Sequence, residues 1–172
     1  MKRVYLLRHA KAASPEIGLE DLDRPLAPRG RRASARMGAY MRDLSYRPDI
    51  ALCSPACRTR QTWDLVRRKL DRPVIEEFQA ELYHADPRTL LACLRRIGDS
   101  HSSALLIGHN PGIQTLALGL LGRSVATANP FGKYPTGALT VFDFTVDRWR
   151  DIEPATGVLI GFTRPKELDP DA

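Results

Sequence analysis

The chain is predicted to be an α/β protein, a three-layer sandwich whose mostly parallel central sheet carries helices on both faces. Three observations predict it. Short apolar runs of strand length recur along the chain, and each is followed closely by a segment of helical periodicity. Ala104-Leu105-Leu106-Ile107 is apolar at every position, as a strand buried on both faces must be. Three segments open on a small polar residue followed by proline, the sequence mark of a helix start.

Val4-Tyr5-Leu6-Leu7 is the first strand, and it ends at Arg8-His9. Pro28 opens a helix to about Leu44, with Ala33, Met37, Tyr40, Met41 and Leu44 at helical spacing. Residues 49–53 read as the second strand, stopped by Ser54-Pro55 as cap and first helical position. The helix that follows places Trp63, Val66 and Leu70 on one face. Val74-Ile75 begins a short third strand, with Glu81-Leu82-Tyr83 in the loop after it. Asp86-Pro87 starts a third helix with Leu90, Leu91, Leu94 and Ile97 apolar, and Gly98 stops it. After the buried apolar strand, Asn110-Pro111 starts a fourth helix through about Leu121. A loop containing glycine and proline spans 122–135, strands are expected at 138–144 and 158–162, and the tail from Pro165 is expected to fray.

Composition narrows the class. The 172 residues fit one domain, 1–172, and an apolar share of 43% argues against disorder. No apolar run approaches the ~20 residues that span a bilayer, so no membrane association is expected. Arg8, His9 and Lys11 interrupt the N-terminal apolar run before it resembles a secretory leader. Three cysteines without scaffold spacing point to reduced thiols and a cytoplasmic address, with Cys53 and Cys57 read as small residues beside a strand end. The net charge of +6, from 26 Lys and Arg against 20 Asp and Glu, suits anionic partners. A nucleic-acid partner is not expected, because no basic segment interleaved with aromatics and no zinc-finger spacing is present.

Right-handed crossovers bring the carboxyl ends of parallel strands to one sheet edge, where open α/β sheets bind ligands. Arg8 and His9, Arg58 and His109 all fall at or just beyond such strand ends. Helices starting near Pro55 and Pro111 direct free N–H groups toward the same edge. Two arginines, two histidines and two helix ends suit a dianionic tetrahedral phosphoryl group, since arginine forks match its oxygens. A neutral imidazole is a competent nucleophile toward phosphorus. One histidine should then be neutral, and the other protonated or donating to a non-bridging oxygen.

These segments carry a family resemblance. Leu7-Arg8-His9-Ala10 resembles the signature that opens domains of the histidine phosphatase superfamily, the phosphoglycerate-mutase-like fold. Ser54-Pro55-Ala56-Cys57-Arg58-Thr59-Arg60-Gln61-Thr62 is similar to its second-arginine segment, and Gly108-His109-Asn110-Pro111 to its second-histidine segment. Pro135-Thr136-Gly137-Ala138 is similar to a late segment of that family, and the order agrees over nearly the whole chain. The compact length and the Arg8-His9-Ala10-Lys11 opening most resemble small SixA-like phosphohistidine phosphatases. The resemblance implies that His9 is transiently phosphorylated and that Arg8, Arg58 and His109 hold the phosphoryl group, with Asn110 beside them. It also implies that no metal or organic cofactor takes part. The substrate would be a phosphorylated protein bearing phosphohistidine, or a small phosphate ester.

Two departures from the family pattern stand out. Ala27 occupies the place where many relatives have a capping threonine. The general acid used by ester-cleaving members is matched best by Glu81, with Asp21 and Asp23 weaker candidates. A phosphohistidine substrate relaxes the need for an acid, because its P–N bond is labile. Lys11 and Arg60 are accessory candidates, and specificity is expected from loops 12–26 and 123–135. His84 and Asp86 form a His-x-Asp pair without a third metal ligand nearby, and His101 reads as loop.

Rival chemistries fit less well. Cys53 has the wrong spacing to Arg58 and to Arg60 for a cysteine-phosphatase loop, and Asp21-Leu22-Asp23 follows a polar loop rather than an apolar strand. Four dispersed histidines do not make a two-metal site. A non-catalytic phosphoprotein-binding module would have no need of His9 as a nucleophile.

Overall fold

The computed structural model describes residues 1–122 and 129–169. Ten main elements follow in order: β1 (Lys2–Arg8), α1 (Pro28–Asp43), β2 (Ile50–Cys53), α2 (Cys57–Arg67), β3 (Ile75–Phe78), α3 (Pro87–Arg95), β4 (Ser103–Gly108), α4 (Gly112–Leu120), β5 (Leu139–Phe144) and β6 (Val158–Thr163). Short 3-10 turns lie at Asp21–Asp23, Ala80–Leu82, Trp149–Asp151 and Pro165–Glu167.

The sheet order is β3-β2-β4-β1-β5-β6. The first four strands of that order pair in parallel, whereas β5 runs antiparallel to both β1 and β6. Side-chain alternation along each strand splits the core between two faces. Val4 and Leu6 of β1, Ile50 and Leu52 of β2, and Leu106 of β4 join α3 and α4 on one face. Tyr5 and Leu7, Ala51 and Cys53, and Leu105 and Ile107 join α1 and α2 on the other. This is the three-layer α/β arrangement read from the sequence, and β4 is fully covered as its composition requires.

The chain leaves β1 through α1 on one face and leaves β4 through α4 on the opposite face. Because β1 and β4 are neighbours, their carboxyl ends flank the point where connections diverge and a crevice opens.

Several predicted boundaries move. Ser54-Pro55 does not start α2: the helix begins at Cys57, with Ala56 as an N-cap that makes no side-chain cap bond. The Ser54 hydroxyl is engaged by His109 instead, at 2.7 Å. Likewise α4 begins at Gly112 with Pro111 at the cap position, while Asn110 Oδ1 accepts from the Gln114 N–H at 3.3 Å and its amide donates to the Tyr134 carbonyl at 3.1 Å. The Asp86 cap holds as predicted, accepting from the Thr89 backbone N–H at 2.8 Å. The tail does not fray at Pro165, where the Glu167 carboxylate caps a 3-10 turn by accepting from the Arg164 N–H at 2.7 Å. The 122–135 loop is described from residue 129 onward, with Phe131 and Tyr134 buried against Phe162. Residues 123–128, part of the predicted specificity loop, lie outside the described residues.

Helix α1 packs directly on the backbone that follows β1. A Cβ on Gly30 would stand 2.1 Å from the Lys11 carbonyl oxygen, so no larger residue fits without displacing the helix. Gly119, on the exposed side of α4, has open space around it. Gly30→Ala is therefore expected to destabilise by about 1–3 kcal/mol, whereas Gly119→Ala is expected to be neutral or stabilising by up to ~1 kcal/mol. Urea unfolding of both variants checks this; equal and small shifts would show that α1 is not seated on the Lys11 backbone.

Candidate functional site

The end of β1 is fixed by its neighbours before any side chain acts. The His9 N–H donates to the Gly108 carbonyl at 3.0 Å, and the Gly137 N–H is shared between the carbonyls of Arg8 and His9 at 3.0 and 2.9 Å. The next residue is tied to α2, since the Ala10 N–H donates to Thr62 Oγ1 at 3.0 Å. Thr62 Oγ1 in turn donates to the Arg58 carbonyl at 2.7 Å. Strand β1, strand β4 and helix α2 therefore deliver Arg8, His9, His109 and Arg58 to one place.

The His9 and His109 rings lie 5.2 Å apart between centroids. His9 Nδ1 is 2.7 Å from the Ala10 carbonyl oxygen, which can only accept. Nδ1 therefore carries the proton, and the Nε2 lone pair of the neutral ring is free. Burial pushes the His9 pKa down to about 4, with Arg58, Arg8 and Arg24 pushing the same way against the Ala10 bond. His109 Nδ1 lies 3.3 Å from an Arg58 Nη2 that can only donate, so this nitrogen accepts. Its Nε2–H donates to Ser54 Oγ at 2.7 Å. Burial, followed by His9 and Arg58, lowers His109 to about 3.

Arg8 donates through Nη1 to the Tyr134 carbonyl at 2.8 Å. Arg58 is 2% exposed and donates to the Asp21 carbonyl at 2.8 Å and to Asp21 Oδ2 at 3.1 Å. Among the described residues, the Nε atoms of Arg8, Arg24 and Arg58 are buried donors without a partner. Buried donors are normally paired, so guanidinium N–H groups left open here are suited to an anion.

Asp21 lies over Arg58. Its carboxylate also accepts from the Tyr83 hydroxyl, from Arg24 at 3.0 Å and from His84 Nε2 at 3.2 Å. The Tyr83 bond foremost, then His84, Arg24 and Arg58, hold its pKa well below the usual carboxylate range despite the opposing effect of burial. The Tyr83 and His84 rings lie 5.4 and 5.1 Å from His109 and complete the mouth of the site. That mouth is joined to α4, because a Cβ on Gly112 would meet the Ala85 carbonyl at 2.1 Å.

The other sequence candidates are placed elsewhere. Glu81 pairs through its carboxylate with Arg96, at the end of α3, and makes no hydrogen bond or ion pair to His9, His109, Arg8 or Arg58. Asn110 stands behind Arg8, donating at 3.1 Å to the same Tyr134 carbonyl and at 3.2 Å to Gln114. Asp23 and Arg60 line a wide cleft beside β3, where the Arg60 guanidinium lies 5.4 Å from the Phe78 ring centre. Lys11 lines a different, basic cleft. The His101 carbonyl accepts from Lys2 and from Trp149, each at 2.8 Å, a packing role. Among the described residues no three His, Cys, Asp or Glu side chains are grouped to hold a metal ion, so His84 and Asp86 gain no third ligand. No described helix is long and apolar enough to cross a membrane.

Sequence reasoning missed Tyr83, His84 and the Tyr134 carbonyl, and it took Ser54 for a cap. Their proximity to the histidines arises from tertiary contacts, and the one available signal was that Tyr83 and His84 follow the suspected acid.

The family model described as histidine phosphatase superfamily (branch 1) matches residues 4–82. An uncharacterized protein of Mycobacterium tuberculosis is 37% identical over 164 residues, covering 93% of this chain and all of its own. The solved structure of a candidate phosphohistidine phosphatase SixA from Agrobacterium tumefaciens aligns with a TM-score of 0.83 at 32% identity, covering 95% of this chain and 98% of that one. A second SixA candidate, from Nakamurella multipartitia, aligns with a TM-score of 0.83 at 27% identity, covering 95% and 96%.

The depressed histidine values fix a sign. Between about pH 4 and about pH 6.5 an unfolded chain binds protons that the folded one refuses, so stability falls as pH is lowered through that window. Urea midpoints are expected to drop across it, and NMR should find both rings still neutral near pH 5. A midpoint near 6.5 for either ring would contradict the burial assigned to it.

Proposed function

This chain belongs to the histidine phosphatase superfamily, and on that premise we propose that it is a metal-independent phosphohistidine phosphatase acting on phosphorylated signalling or phosphotransfer proteins through a phospho-His9 intermediate. The free Nε2 of neutral His9 attacks phosphorus, forming a P–N bond as the bond to the substrate imidazole breaks. Arg8 and Arg58 neutralise the equatorial oxygens, where phosphoryl transfer concentrates its charge. The arriving dianion raises the proton affinity of His109, which then turns from a support for Arg58 into a second donor. Water next attacks the phosphorus of phospho-His9, releasing inorganic phosphate and restoring the neutral ring. No step requires a metal ion, and free Cys53, Cys57 and Cys93 suit a cytoplasmic setting.

One observation carries the choice of substrate: among the described residues, no carboxylic acid at the His9 cluster stands ready to protonate a leaving group. Asp21 is firmly ionised by four donors, and Glu81 is held by Arg96. An alkoxide, whose conjugate acid is about as weak as water at ~15.7, leaves poorly without a proton. An imidazole, with a pKa near ~6.5, leaves readily once its far nitrogen is protonated. The alternative, a phosphatase of small esters, has one observation in its favour. His84, bonded to Asp21 at 3.2 Å, is exposed at the mouth and could supply the proton.

Phosphate release from a phosphohistidine protein and from an alkyl phosphate, with and without EDTA, separates these readings. The expected result is turnover of the phosphohistidine protein, at least ~100-fold slower release from the alkyl ester, loss of both in His9→Ala, and no effect of EDTA. Efficient alkyl-ester hydrolysis that collapses in His84→Gln would instead establish the ester reading. Full activity in His9→Ala would remove His9 as the nucleophile.

A further inference from the structure

Beside the His9 turn lies a cleft of about 370 Å³ whose wall carries Lys11, Arg29, Arg32, Arg36, Arg164 and Lys166. Among the described residues, Asp169 is the one acidic residue lining it. The surplus of positive charge in this wall is comparable with that of the whole chain, which is +6. Arg36 is bonded to Asp169, and Arg164 to Glu167 at 2.7 Å. Lys11, Arg29, Arg32 and Lys166 make no side-chain hydrogen bond or ion pair with the described residues. Like charges gathered in a concave wall repel one another and focus a positive potential into the space between them.

The helix beneath adds to this. Helix α1 starts at Ala27 without a side-chain cap, has no acidic residue in its first turn, and carries Arg29 and Arg31 there. Cations at a helix N-terminus oppose the helix dipole, and an anion in the cleft relieves both repulsions.

The cleft is continuous with the site through the backbone. Lys11 follows His9 by two residues, and its carbonyl accepts from the Ala27 N–H at 2.9 Å. Pro135 and Thr136, on the opposite wall, lead into Gly137, which is bonded to the His9 carbonyl at 2.9 Å. This adjacency puts the wall within reach of residues that flank a phosphorylated side chain held at His9. Among the described residues no aromatic ring lines the cleft, so they offer no stacking platform for nucleic-acid bases.

We propose that this cleft docks an acidic polypeptide segment of the phosphoprotein substrate, flanking the phosphorylated residue. The identity of the partner rests on the phosphoprotein reading of the His9 site; the affinity of the cleft for an acidic peptide does not. Carboxylates along the segment pair with Lys11, Arg29, Arg32 and Lys166, and these rim charges chiefly raise the association rate.

The test compares the full wild-type chain with the triple variant Arg29→Glu, Arg32→Glu, Lys166→Glu. Fluorescence anisotropy of a labelled glutamate-rich peptide, and of a neutral peptide of equal length, measures docking. The acidic peptide is expected to bind with an affinity that falls as salt is raised, the neutral peptide not to bind, and the variant to lose about tenfold or more. In turnover, kcat/KM for an acidic phosphohistidine protein should fall by a similar factor in the variant, while p-nitrophenyl phosphate hydrolysis stays unchanged and the urea midpoint holds or rises, because the repulsion in the wall and at the α1 N-terminus is relieved. Equal peptide binding by both chains, no binding by either, or displacement of the peptide by a lower concentration of oligonucleotide overturns the proposal. Peptide binding that is lost in the variant, with no wild-type turnover of phosphohistidine protein, would uphold the cleft and sink the phosphohistidine reading instead.

Discussion

Two guanidinium groups packed beside two imidazoles, with one nearby carboxylate to offset them, are the constraint around which the site is arranged. Four basic groups at such range cannot all be charged. The protein meets this by burying both rings until they are neutral and by leaving the charge on Arg8 and Arg58. The hydrogen bonds then follow from the protonation. His9 spends its one proton on the Ala10 carbonyl, which leaves Nε2 bare, and His109 spends its own on Ser54, which leaves Nδ1 to accept from Arg58.

Asp21 completes this balance from outside. It comes from a three-residue 3-10 turn, yet it gathers Arg58, Arg24, Tyr83 and His84 around one carboxylate. A carboxylate on Arg58 occupies part of the donor set that a phosphoryl group needs. On the proposed reading, binding would include an exchange of anions at Arg58, with a net gain smaller than a bare count of arginine contacts suggests.

Much of this was legible in the sequence because it is local. Strand length, apolar runs and cap residues are short-range signals, and they located β1, β2, α1, α3 and β4 to within a residue or two. The convergence of Arg8, His9, Arg58 and His109 was legible because parallel strands place their ends on one edge. Ser54 was misread because a serine before proline is locally an ideal cap, and a long-range bond to His109 outcompeted that role. The pairing of Glu81 with Arg96, fifteen residues on, was not legible because nothing local showed that Arg96 would approach its carboxylate. Tyr83 and His84 left only the weak signal of following Glu81, since their approach to His109 depends on how the segment after β3 is placed in the fold.

The close seating of Gly112 against the Ala85 carbonyl bears on how the site meets a substrate. Ala85 directly follows His84, and Gly112 opens the helix three residues after His109. At this opening the segment carrying His84 and the helix that follows His109 are thus in direct backbone contact, which resists movement of one without the other. Such an opening acts as a fixed gauge rather than a jaw. On the proposed reading, an incoming phosphorylated side chain would pass Tyr83 and His84 to reach His9, so its reach would matter to selection.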